Sequence, residues 1–179
     1  DELGGSEYQQ LFHADALAAP PRVSLADEKT LIELMLDLHA AALLRSAHDL
    51  SNGGLAVALA EASMGGVGCH VDLAGHADDA DAIALLFSES QARVVVSCTA
   101  ENRDEVLRRA SAAGIAAQRI GHTSLGTFLI ERNNVPLIKT NVPELTRVWR
   151  TAFALLLGGD TIDEVIRGVG EEAAEVLGH

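Results

Sequence analysis

With 179 residues, 48% of them hydrophobic and only 3% aromatic, the chain has the length of one domain, and its core must be built from Ala, Leu, Val and Ile. A formal net charge of −13 repels phosphate backbones and anionic lipid, which argues against nucleic acid or a membrane surface as partner. There is no apolar run of about 18 residues and no basic-then-apolar leader, and two cysteines, Cys69 and Cys98, make neither a zinc motif nor a disulfide framework, so small buried thiols in a cytoplasmic protein are expected.

Residues 1–23, with Gly4, Gly5, Pro20 and Pro21, read as a linker or arm from a preceding domain, with one short helix around Glu7–Phe12. The start at Asp1 rather than Met fits an excised fragment or a processed terminus. Residues 24–179 read as the domain proper. Ser24 and Asp27 have capping spacing, and Leu31, Leu34, Met35, Leu38, Ala42 and Leu43 share one face of a helix over 28–46. The segment 47–54 breaks that helix. A second helix is predicted over Leu55–Met64, ended by Gly65-Gly66, followed by a strand over Val67–Leu73 and a short helix over 78–86. The β-branched run Arg93–Cys98 predicts a buried strand. Thr99 is placed to cap a helix over 100–113, stopped by Gly114, and a strand is predicted over 115–122. Thr127–Ile130 and Val135–Ile138 flank Asn133-Asn134, residues that tolerate positive φ in a hairpin. Asn141 with Glu144 caps a helix over 143–157, and Thr161 with Glu164 starts a last amphipathic helix to about Leu177. Helices interleaved with strands imply an α/β (α+β) fold, a mixed sheet covered by helices.

Two segments have residue types suited to ligands. In His48-Asp49-Leu50-Ser51-Asn52-Gly53-Gly54 the glycines free the backbone, and the helix that follows offers unpaired N–H groups and a positive dipole end, which suits a phosphate or carboxylate. The plainer reading, a helix-to-helix turn with Ser51 or Asn52 as N-cap, is favoured by spacing alone. Ser88-Glu89-Ser90-Gln91 lies before a strand, where polar side chains line either a cleft or an ordinary loop. His48, His70 and His76 match no metal-site spacing, and Asp78, Asp79 and Asp81 suit a helix start without a metal. No catalytic nucleophile with a base and no metal site is expected.

Taken together, these segments are more specific. His48–Glu61 resembles the His-Asp-x-Ser-Asp-Gly-Gly-Leu helix start of the aminoimidazole ribonucleotide synthetase-like superfamily. Leu86–Ser97 resembles the Phe-Gly-Glu-Ser-Gln-x-Arg strand entry of its amidotransferase branch, and Leu3-Gly4-Gly5-Ser6-Glu7-Tyr8 resembles the Leu-Gly-Gly-Ser-x-Tyr that leads into the last domain of those enzymes. The resemblance implies a C-terminal domain of a formylglycinamide ribonucleotide amidotransferase. In such an enzyme ATP and Mg²⁺ activate the formyl amide of the ribonucleotide as a phosphate ester, and ammonia from a glutaminase subunit displaces phosphate. It implies preceding domains, the glutaminase subunit and a small bridging subunit as partners, and no activity of the domain alone. It also implies that His48, Asp49, Ser51, Asn52, Gly53, Gly54, Glu89, Ser90 and Gln91 line a pseudo-symmetric substrate or phosphate site. Asn52 stands where the pattern has Asp, and Ser88 where it has Gly. A docking module for the other subunits is the alternative. A domain of a related synthetase is another, against which Ser88–Gln91 and Leu3–Tyr8 argue.

Overall fold

The structure is a computed structural model that describes residues 2–15, 18–75, 81–156 and 158. Its elements run α1 (Glu7–Phe12), α2 (Leu25–Ala40), β1 (Ser46–Asp49), α3 (Gly54–Ser63), β2 (Val67–Asp72), α4 (Ala82–Phe87), β3 (Val94–Ser97), α5 (Arg103–Ala112), β4 (Gly121–Leu125), β5 (Thr127–Arg132), β6 (Val135–Asn141) and α6 (Val142–Leu156). The expected mixed α/β class holds. Among the described residues, however, the strands form two sheets rather than one. β1 pairs antiparallel with β3, and four strands lie in the order β4-β2-β5-β6, with β2 and β5 parallel and the other pairs antiparallel.

The four-stranded sheet forms the main core. Val71, Phe128 and Ile130 from β2 and β5 pack against Leu55 and Leu59 of α3 and Leu85 and Leu86 of α4. A second cluster joins α2 to α5 through Leu34, Leu38, Val106 and Ala110. Burial of such aliphatic side chains at about 25 cal/mol per Å² is the main stabilising term. Alternate residues of β2 and β5 face the core, with Cys69, Val71, Phe128 and Ile130 inside.

Several boundaries differ from expectation. α2 stops at Ala40 rather than near 46, because the chain turns through a Schellman motif: Leu43 N donates to Leu38 O (3.1 Å) and Ala42 N to His39 O (2.9 Å), with Ala42 at φ 53°. The residues released form β1, which was not predicted. α5 begins at Arg103, not Ala100. Its N-cap is Asn102, whose side chain is drawn away to Leu43 O (3.1 Å) instead of capping. β4 begins at Gly121, where pairing with β2 starts, and β3 is half-buried rather than buried. The Asn133–Asn134 hairpin has φ of 52° and 62°, and Asn141 Oδ1 accepts from Glu144 N at 2.9 Å, both as the sequence suggested. Residues 78–80 of the predicted fourth helix and the whole predicted helix 161–177 lie outside the described residues.

Candidate functional site

The glycine segment and the Ser-Glu-Ser-Gln segment meet at the N-terminus of α3. Gly53 is the N-cap of this helix, at φ 79° with no side-chain cap; neither Ser51 nor Asn52 takes that role. Gly54 sits at φ 64°, and a Cβ there would lie 2.5 Å from Ser88 O and 2.8 Å from Phe87 C. The second glycine therefore exists so that the start of α3 can lie against the end of α4. That contact sets the following loop, residues 88–93, over the helix entrance.

Glu89 is the centre of the junction. Its side chain is only 9% exposed, and Oε1 accepts hydrogen bonds from two backbone amides, Gly53 N at 2.8 Å and Glu7 N at 2.9 Å. Glu7 is the first residue of α1 and Gly53 the N-cap of α3, so one carboxylate oxygen serves the positive ends of two helices. The arm is fastened by further bonds. Glu89 N donates to Glu2 O (3.3 Å), Glu2 N to Ser90 Oγ (3.3 Å), and Tyr8 stacks on Phe87 at 5.2 Å between centroids. Ser6 is buried, and its hydroxyl accepts from Gln9 N and donates to Leu3 O. These contacts make Leu3–Tyr8 one side of the junction with the other two segments.

Asn52 Nδ2 donates to Glu7 Oε1 at 3.2 Å. An Asp at this position would face the Glu7 carboxylate, so the departure from the family pattern suits the contact made here. The loop is also held from beneath. Arg93 donates from Nε to Ser90 O (2.9 Å) and from Nη2 to Ser88 O, and burial lowers the pKa of its guanidinium from the ordinary value. Ala92 N donates to Glu28 Oε1 of α2 at 2.8 Å. Ser88, the other departure, is fully buried, and its hydroxyl has no hydrogen-bond partner among the described residues.

The structure thus brings Asn52, Gly53, Gly54, Glu89 and Ser90 together. The remaining candidates stand apart. His48 lies on β1 with Nδ1 near Asp49 O (2.8 Å) and Nε2 3.6 Å from Glu61; Asp49 and Ser51 are exposed. Gln91 is exposed too, its Nε2 donating to Glu89 O at 3.2 Å. Among the described residues no group of three or more His, Cys, Asp or Glu side chains is placed to hold a metal ion. Sequence reasoning missed Glu7 and Arg93 as parts of the junction. The only signal for Glu7 was its place directly after the N-cap Ser6.

Fold and junction define an α/β domain whose glycine-opened helix entrance is tied by a buried glutamate to an N-terminal arm. A family model described as AIR synthase related protein, C-terminal domain, matches residues 1–127. The chain belongs to this family. It is 38% identical over 157 residues to "Phosphoribosylformylglycinamidine synthase subunit PurL" of Moorella thermoacetica, covering 87% of the chain and 21% of the relative. It is 40% identical over 158 residues to the protein of the same name from Thermobifida fusca, covering 88% and 20%. The chain therefore spans about a fifth of the length of these relatives. Among solved structures, that of Thermotoga maritima PurL complexed with FGAR superposes with a TM-score of 0.61 at 25% identity over 66% of the chain and 21% of that protein. The structure of PurLQS from T. maritima superposes at 0.64 and 24% identity over 70% and 22%, a likeness of fold.

Proposed function

We propose that this chain is a C-terminal domain of a phosphoribosylformylglycinamidine synthase, the ATP-dependent ligase that converts formylglycinamide ribonucleotide to its amidine, and that its part is to form a wall of that enzyme rather than to carry reacting groups. The observation that carries this reading is the Glu89 junction. Three motifs of one enzyme branch converge on a single carboxylate, and that carboxylate is engaged by the protein's own backbone. The relatives' names and the FGAR complex of the T. maritima protein support the substrate assignment.

The donor set here does not fit ATP and Mg²⁺ by itself. Gly53 N, the amide at the positive end of α3, already donates to an internal anion, and a phosphate arriving there would meet the Glu89 charge. The groups that bind nucleotide and Mg²⁺ are assigned to the other four fifths of the enzyme, and the chain alone has no turnover. His48, Asp49, Ser51 and Gln91, all outside the clamp, are the residues left to face those domains. The glutaminase and bridging subunits complete the assembly, which works in the cytoplasm. The test is a graft. This chain replaces the matched 157 residues of the M. thermoacetica relative, and amidine formation from ribonucleotide, ATP·Mg²⁺ and ammonia is followed. Turnover is expected. A soluble, folded chimera that binds ribonucleotide yet makes no amidine would reject the assignment.

A further inference from the structure

Asn52-Gly53 is the sole Asn-Gly pair in the sequence. Asparagine amides are chemically labile, and a following glycine puts no side chain in the way of ring closure. In that reaction the backbone nitrogen of the second residue gives up its proton and attacks Cγ of the first. A new C–N bond closes a cyclic imide, and the side-chain amide departs with the proton as ammonia. Water then opens the ring. Breaking the new bond leaves aspartate; breaking the original peptide bond leaves isoaspartate, with the main chain rerouted through Cβ and Cγ. No oxidant or cofactor is needed. Asn52 is exposed, so water reaches it.

The junction holds both reacting groups. Gly53 N, the attacking atom, is buried and donates to Glu89 Oε1 at 2.8 Å, and the departing Nδ2 of Asn52 donates to Glu7 Oε1 at 3.2 Å. Removing the Gly53 proton would place an amide anion against the Glu89 carboxylate, a like-charge contact in a poorly solvated site. Turning Cγ toward Gly53 N would break the bond to Glu7. The turn is pinned besides by Gly54 N, which donates to Ser51 O at 3.0 Å. Glu7 heads α1 of the arm, and the arm is also tied to Glu89 N through Glu2 O, so lifting it releases Asn52 and opens Glu89 to water. We propose that Asn52 is a deamidation site that the Glu7–Glu89 clamp keeps latent, converted in molecules whose arm has lifted. The loss of ammonia makes the step one-way. Aspartate or isoaspartate at position 52 sets a carboxylate against Glu7 where an amide donated, and isoaspartate also adds a methylene to the backbone directly before the N-cap of α3. The arm of a converted molecule therefore closes less firmly. The inference stands on the junction alone, independent of the reaction assigned to the complete enzyme.

The complete chain, its Glu89→Gln and Glu89→Ala variants, and the complete chain unfolded in urea are aged at mildly alkaline pH. Amide-to-acid conversion is followed by mass spectrometry of the peptide that carries Asn52, and isoaspartate by enzymatic methylation. Asn133 and Asn134, exposed in the β5–β6 hairpin and outside the junction, are the internal control. The folded chain should convert Asn52 at least about tenfold more slowly than the unfolded chain, as befits a site that reacts on local opening. Glu89→Gln keeps an acceptor and the fold, and should raise the folded rate about threefold; Glu89→Ala, where it folds, should raise it further, with the hairpin asparagines unchanged. Equal Asn52 rates in the folded and unfolded chain would overturn the proposal. So would a folded Glu89→Gln variant that converts Asn52 no faster than the unaltered chain, or one that speeds the hairpin asparagines equally, since general unfolding would then govern the rate.

Discussion

Replacing Glu89 tests the junction at its centre. Glu89→Ala removes the acceptor of two backbone amides, Gly53 N at 2.8 Å and Glu7 N at 2.9 Å, from a site 9% exposed. Hydrogen bonds to a charged group contribute roughly 1.5–3 kcal/mol each, and water reaches the Glu7 side more readily than the Gly53 side, so a loss of about 3 kcal/mol is expected. Glu89→Gln keeps an oxygen that can accept both bonds and loses only the charge. Its cost should be about 1–1.5 kcal/mol, including the weaker interaction with two helix dipoles. Urea unfolding measures both, with the midpoint moving and the slope unchanged. The Ala variant should also free α1, so that a protease cleaves the arm before the body unfolds. A loss below about 1 kcal/mol for Glu89→Ala, or equal losses for Ala and Gln, would refute the claim that this carboxylate fastens two helix entrances.

Other positions give separate tests. Asn52→Asp places a second carboxylate against Glu7, where Asn52 now donates at 3.2 Å. It should cost up to about 1 kcal/mol at low salt, less at high salt, and be rescued by Glu7→Gln in a double-mutant cycle. Ala42→Gly relieves a non-glycine residue at φ 53° in the α2 Schellman turn and should raise stability by about 1 kcal/mol in thermal unfolding. Burial raises the Cys69 thiol from 9.0 to about 11. Its neutral form is the native one, so its contribution is intact below pH 9 and is lost as pH rises toward 11; Cys69→Ala should flatten that alkaline fall in stability. Thiol labelling of the folded protein at pH 8 should accordingly reach half-buried Cys98 well before Cys69.

Local chemistry made part of this fold legible. The Ser24 cap, the Asn133–Asn134 turn and the Asn141 cap are each set by side chains acting within three or four residues, and each was found where spacing placed it. The end of α2 was not legible, because the turn that stops it uses Ala42 where glycine is the usual signal. β1 followed from that same turn and from pairing with β3, some 50 residues away, which leaves no pattern in Ser46–Asp49 itself. In the candidate site, the glycine pair and Glu89 were visible as types suited to an anion and a helix entrance. That the anion is Glu89 itself depends on contacts spanning 36 and 82 residues, which no spacing rule reports.

Gly53 N is held by the protein's own carboxylate, and its amide resonance is the most direct witness of that bond. In a ¹⁵N–¹H titration of the complete chain with ATP·Mg²⁺, the Gly53 signal should stay fixed to millimolar nucleotide. A saturable shift of Gly53, with Gly54 and Leu55 following it, would show that phosphate displaces Glu89 and that the helix entrance is a nucleotide site after all.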